Sequence, residues 1–281
     1  MRRRDFVGLA GLGLAATGCS LSIEQGLWNP CYKGSQGDRL ALAMIEEAFD
    51  GLVSSQIWDM HVHLVGVGDA STGAWTNPDT QSLLHPVQLL QRQFYLNAAC
   101  VEESQSIDLA YLRRLLEIHR GFPDGVKFML LAFDVWHDED GTRRPEWTTF
   151  YLPNGYANRV AISWPERFEW ICSIHPYRRD CLEELDRCVE SGARAVKWLP
   201  QAMGIDPSSP LCDRFYERCV QRDIPILTHA GAEKAVEARV EDLGNPLRLR
   251  RMLEHKVRVV VAHCGSLGDG VDLDQGPNAP S

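Results

Sequence analysis

The chain has 281 residues, 44% of them hydrophobic and 24% charged, a balance that supports a buried core and excludes a disordered or fibrous chain. Asp plus Glu number 38 against 29 Lys plus Arg, for a formal charge of -9, and no basic block carries interleaved aromatics, so nucleic-acid binding is not expected. No apolar run approaches the roughly 18 residues that a membrane-spanning helix needs, so contact with a membrane would have to come from an anchor.

The first residues read as an address. Arg2, Arg3 and Arg4 precede Asp5, Phe6, Val7 and a soft apolar run to Gly18, with Cys19 directly after it. Arg3-Arg4-Asp5-Phe6-Val7 resembles a twin-arginine export signal. Ala16-Thr17-Gly18-Cys19 resembles a bacterial lipobox, in which the cysteine becomes a lipidated N-terminus. Residues 1–18 are therefore expected to be an export signal and Cys19 the lipidation site, which places the protein in the periplasm or cell envelope and on the membrane only through its lipid. Residues 19–37, rich in Gly and Ser and holding Pro30 and Cys31, suit a tether.

Asp38 is placed to cap a helix whose Leu42, Ile45, Phe49 and Leu52 form an apolar stripe, expected to pack on the body. From residue 56 the chain alternates short apolar runs with helical patterns, the signature of parallel strands joined by crossover helices. Six strands are predicted: Ile57 to Val62, Val126 to Phe133, Glu169 to Ile174, Ala193 to Trp198, Ile224 to Thr228 and Val257 to Ala262. A helix is predicted over 180–190, where Cys181, Leu182, Leu185, Cys188 and Val189 recur at helical spacing and Gly192 can provide the cap. Another runs from Pro210 to Arg222. Cys181 with Cys188 and Cys212 with Cys219 each share a helix face two turns apart, about 10 Å, too far for a disulfide, and read as core thiols. Trp136 to Ala157 is polar and irregular and reads as a long loop.

The polar residues fall at strand ends. His61 and His63 close the first run, Lys197 lies at the end of the fourth, His229 ends the fifth and His263 follows the sixth. Residues one strand–helix unit apart at the C-terminal ends of a parallel barrel converge on one mouth, so four imidazoles meet there. That is the outline of a metal site, since neutral imidazole suits zinc and a catalytic ion lowers the pKa of its water toward about 7. Asp59 is placed to orient a ligand imidazole. His137 and His175 follow the second and third strands and either reach the same mouth or sit in loops. His85, His119 and His255 lie in helical patterns or turns and read as surface residues.

Asp59-Met60-His61-Val62-His63, Val196-Lys197, Leu227-Thr228-His229-Ala230-Gly231 and Ala262-His263-Cys264-Gly265 resemble the metal-dependent amidohydrolase superfamily, in its amidohydrolase-related TIM-barrel branch. The resemblance covers about residues 56 to 268. It implies that His61 and His63 bind a first divalent metal, zinc by preference. It also implies that His229 and His263 contribute to the same centre of one or two ions, with His263 a ligand or a catalytic residue. Lys197 stands where binuclear members carry a carbamylated lysine bridging two metals. Unmodified, it is a positive charge near the substrate, or a lysine reaching to solvent or a carboxylate.

The family pattern also includes an aspartate at the end of an eighth strand. After His263 the sequence turns Gly-, Asp- and Pro-rich without periodicity, and Asp269, Asp272 and Asp274 cannot be carried onto that position. The expected fold is therefore an α/β barrel of the (β/α)8 TIM type over residues 38–281, truncated after the sixth strand. The expected activity is hydrolysis of an amide, ester or similar carbon centre in a small molecule by metal-activated water. Two alternatives stand beside it. One is a decarboxylase or lyase on the same fold, which needs an anion-binding residue such as Arg178 or Lys197. The other is a non-catalytic metal-binding lipoprotein, if the chain ends at Ser281. The loop aromatics Trp75, Trp136, Trp147 and Tyr151 suit an apolar or aromatic substrate and equally suit loop packing.

Overall fold

The computed structural model describes residues 39–101, 106–232, 236–265 and 270–275. The export signal, Cys19, the tether with Cys31, Asp38 and Asp269 lie outside the described residues. All six predicted strands form, the first shifted by one residue and the other five shorter than their apolar runs: β1 (Trp58–His63), β3 (Lys127–Leu131), β5 (Phe168–Ile171), β6 (Val196–Trp198), β7 (Ile226–Thr228) and β8 (Val259–Val261). They pair in parallel as β1-β3-β5 and β6-β7-β8. A parallel bridge between Cys172 and Val196 joins the two sets. Backbone bonds of 3.0 Å from Cys172 to Ala195 and from Arg194 to Trp170 support that joint. The result is a partial (β/α)8 barrel of six parallel strands among the described residues.

Strand alternation divides the interior in two. Phe128 and Leu130 of β3, Phe168 and Trp170 of β5, Val196 and Trp198 of β6 and Ile226 of β7 face the helices in one large core. The residues between them, Met129, Leu131, Ile171 and Leu227, join Ala195 and Ala262 in a small inner core. Lys197 falls on that inner face of β6, and alternation carries His229 to the inner face just beyond Leu227.

The helices follow the predicted periodicity with two corrections. Helix α1 (Arg39–Phe49) forms, but its stripe does not pack on the body as a whole. Phe49 meets Phe122 edge-on at 6.1 Å, while Leu42, Ile45 and Leu52 are exposed. Period 3.6 specifies a helix and one apolar face, not what that face meets. After β2 (Trp75–Thr76) come α2 (Pro86–Ala98) and α3 (Ile107–His119). The second correction concerns 136–157. This stretch holds β4 (Phe150–Tyr151), antiparallel to β2, and the first turn of α4 (Asn154–Ser163). Pro153 starts that helix, and Tyr156, Ala157, Val160 and Ala161 bury its inner face, a stripe of mostly small residues that composition hides. Trp136 packs against Gly204 and meets Trp147 at 5.4 Å, so loop packing accounts for both rings.

Helix α5 (Cys181–Glu190) ends as predicted, with Gly192 at φ +89° and Ala193 donating back to the Cys188 carbonyl at 2.9 Å. A one-turn helix, α6 (Pro200–Met203), follows β6, then α7 (Asp213–Gln221) and, before β8, α8 (Arg250–Glu254). Cys181, Cys188, Cys212 and Cys219 are free and buried, as their spacing predicts, whereas Cys100 is disulfide-bonded.

Candidate metal centre at the strand ends

Three strands deliver the centre. In β1, Val62 packs outward against the large core, which turns His61 and His63 to the opposite face. The His61 ring centroid lies 5.1 Å from that of His63, 5.3 Å from His229 and 4.7 Å from His263, and His229 and His263 are 4.8 Å apart. The nitrogen atoms that His61, His229 and His263 offer lie within 4.8 Å of one another, a set able to hold a metal ion. His63, exposed and beside His61, stands outside that tight set.

His263 reaches the mouth by a route that strand alternation does not predict. Val259 packs outward, so a continued strand would send Val261 and His263 outward too. The strand stops at Val261 instead. His263 and Cys264 adopt left-handed backbone, φ +54° and +56°, and this turn brings the imidazole in.

The donor set suits a cation. Burial, with contributions from Lys197, His63, His229 and His263, lowers the His61 pKa to about 3, so its ring is neutral at physiological pH and keeps a lone pair for a metal. Lys197 is 1% exposed, and its Nζ lies 3.5 Å from His61 Nε2. It does not reach to solvent. Asp59 departs from expectation: its Oδ1 accepts from the His61 backbone N–H at 3.0 Å, beside an irregularity in the β1–β3 register. It holds the ligand's main chain rather than its imidazole.

Arg178, one of the two residues offered for anion binding under the lyase alternative, is already engaged by carboxylates. Its Nε and Nη2 donate to Asp180 at 2.9 and 2.8 Å and its Nη1 to Asp134 at 3.0 Å, so the guanidinium fork is taken. Burial opposes its charge, but the two carboxylates more than offset this and raise its pKa above the usual value. The C-terminal carboxylates are engaged at the surface, Asp274 with Arg250 and Asp272 with the Asp274 and Gln275 nitrogens.

Sequence reasoning missed Asp134 and Ser173, both buried directly beyond apolar strands in the position the histidines occupy elsewhere. Ser173 Oγ accepts from the Asp134 N–H at 3.0 Å and donates to the Lys197 carbonyl at 2.9 Å, tying the ends of β3, β5 and β6 together. Asn154 brackets Ser173, accepting from its N–H at 2.8 Å and donating to its carbonyl at 3.1 Å. His119, expected at the surface, is buried with Nε2 at 2.8 Å from the Val126 carbonyl.

His175 is fully buried. Its Nδ1 accepts from the Tyr177 N–H at 3.2 Å, which leaves Nε2 to donate to the Met203 carbonyl at 2.8 Å, so neither nitrogen serves a metal or substrate. Burial, then His137 and Arg178, push its pKa well below 6.5, against the Met203 bond. The unfolded imidazole titrates normally. Below about pH 6.5 the unfolded chain therefore takes up a proton that the folded one refuses, which costs up to ~1.4 kcal/mol of stability per pH unit. The melting temperature of the metal-free protein is expected to fall between pH 7 and 5, with a flatter slope in His175→Gln. An equal slope in both would assign the effect to other groups.

A family model described as amidohydrolase matches residues 58–277. No curated protein matches the chain. Among solved structures, a 5-carboxyvanillate decarboxylase from Sphingomonas paucimobilis is 12% identical, with 75% of this chain and 68% of that one covered at a TM-score of 0.48. An uncharacterised TIM-barrel protein from Bordetella bronchiseptica is 15% identical, with 73% and 65% covered at 0.44. A probable 2-pyrone-4,6-dicarboxylic acid hydrolase from Acinetobacter baumannii is 14% identical, with 74% and 58% covered at 0.42. The chain thus spans less than two thirds of the length of the last two. With the family model running from the first barrel strand to beyond the last described one, the chain belongs to the amidohydrolase family.

Proposed function

We propose that the protein is a metal-dependent hydrolase of a small-molecule amide, ester or similar carbon centre, with one zinc ion held by His61, His229 and His263. The observation that carries this reading is the convergence of three imidazoles from three separate strand ends within 4.8 Å. Zinc is favoured because the donors are neutral nitrogens, whereas magnesium and calcium prefer oxygen. A bound zinc ion supplies Lewis acidity and makes water available as a nucleophile near neutral pH.

The chain's own groups do the rest. Asp59 fixes the backbone of His61, and a small apolar inner core lies on the same face of the sheet as the rings. Lys197 either carries a carbamate and joins the ligands or keeps its ammonium as a positive group beside His61. His263, exposed at the mouth, is the ligand ring that borders the incoming substrate. His63 borders the same opening.

The ammonium form of Lys197, buried beside the imidazoles, favours a second reading, a lyase that binds a substrate carboxylate and releases carbon dioxide. Turnover in 18O-labelled water separates the two. Zinc-loaded protein given an aryl ester or anilide of an aromatic acid is expected to place one labelled oxygen in the acid product, with activity lost on chelation and restored by zinc. Carbon dioxide release from a hydroxybenzoate without 18O uptake would overturn the hydrolase.

A further inference from the structure

We infer that Gln201 is a positioning residue for His229, acting through the turn that follows it; the inference rests on the metal-centre reading above. Gln201 sits on α6, wholly buried, and its Nε2 donates to the carbonyl of Gly231, two residues beyond His229. The same glycine donates its N–H to the Gly244 carbonyl at 2.8 Å. Gly244 closes the arrangement. A Cβ there would lie 2.0 Å from Gln201 Nε2 and 2.4 Å from the Gly231 carbonyl oxygen, so only glycine lets the three segments meet.

On its other side His229 is held by β6 and its own strand. Its N–H donates to the Trp198 carbonyl at 3.3 Å, and its carbonyl accepts from Thr228 Oγ1 at 3.2 Å. The backbone around this imidazole is thus fastened before, at and after the residue, and the last fastening combines the backbone bond to Gly244 with one side chain, Gln201.

A packing role does not account for an amide at position 201. Gln201 Oε1 is buried with no hydrogen-bond partner among the described residues. Rotating the amide would set that oxygen against the Gly231 carbonyl, so the present orientation is fixed at the expense of an unserved acceptor. A methionine of similar length would fill the space without that cost. What the amide adds is the bond to Gly231, and what that bond controls is the exit of the chain from His229.

Cobalt(II) titration of the full 281-residue chain tests this, read by affinity and by visible absorption, beside the melting temperature of the metal-free protein. Gln201→Met is expected to weaken cobalt binding about 10- to 100-fold and alter the absorption band, while the metal-free melting temperature moves only a few degrees. Gly244→Ala, which presses on the same contact from the other side, should change the band in the same way and carries the test if the first variant misfolds. In a His229→Ala background, Gln201→Met should add nothing further. Wild-type affinity and absorption in both single variants, or an equal loss with His229 already removed, would overturn the positioning role alone. A wild-type chain that takes up no cobalt would overturn it together with the metal centre.

Discussion

Replacing His61 with alanine is expected to lower zinc affinity by at least about 100-fold, and replacing His63 by far less, although the two stand two residues apart in one motif. His61 is the hub. Its ring lies within 5.3 Å of the rings of His63, His229 and His263, and its Nε2 lies 3.5 Å from Lys197 Nζ. Losing it leaves His229 and His263 as a pair, too few donors for a closed zinc site. His63 lies outside the tight set and is exposed, so its removal should change substrate handling more than metal retention. Competition with a chromophoric chelator measures both variants on one scale. Equal losses would show that the ion sits between His61 and His63 rather than between strands.

The second large effect is expected at a residue that holds no metal. Asp134→Ala should destabilise the protein by about 3–5 kcal/mol, because it removes one half of a buried ion pair. The Asp134 side chain is 3% exposed, and its oxygens accept from Arg178, from the His175 N–H at 2.8 Å and from the Val135 N–H at 2.8 Å. All three donors are stranded by alanine. Asp180→Ala, which cuts the other arm of Arg178 at a side chain 51% exposed, should cost no more than about 1 kcal/mol. At about 2–4 °C per kcal/mol for a domain near this size, thermal melts will separate the two variants clearly. A small effect of Asp134→Ala would mean that Asp180 alone keeps the guanidinium satisfied.

Much of the barrel is legible in the sequence because two local signals coincide. Each strand is a short apolar run, and a polar residue of a particular kind stands where the run stops. His61 and His229 could be assigned to one face by counting in twos, which is the only rule their placement needs. His263 could not, since its direction is set by two left-handed residues that no alternation foresees. Asp59 and Arg178 were assigned to the right neighbourhood with the wrong partner, because a hydrogen bond is chosen by geometry over a few ångströms that spacing does not contain. Asp134, Ser173 and Gln201 were missed for the same reason. Their partners lie on other strand ends or the segments that follow them, and only the folded sheet brings them within reach. The apolar stripe of α1 shows the opposite limit, where the local pattern is real and the tertiary surface it suggests is not.

The turn at Ala262–Gly265 gives the three imidazoles unequal mechanical status. Left-handed backbone costs roughly 1–2 kcal/mol for each residue that carries a Cβ, and two such residues stand here in succession before Gly265 at φ +63°. His61 and His229 come from strands that hold them at no such expense, so they act as a fixed seat. His263 is sprung. The strain is already present in the metal-free chain, so it adds nothing to binding a cation, and His263 is the ring whose position can shift at its own corner without disturbing the sheet.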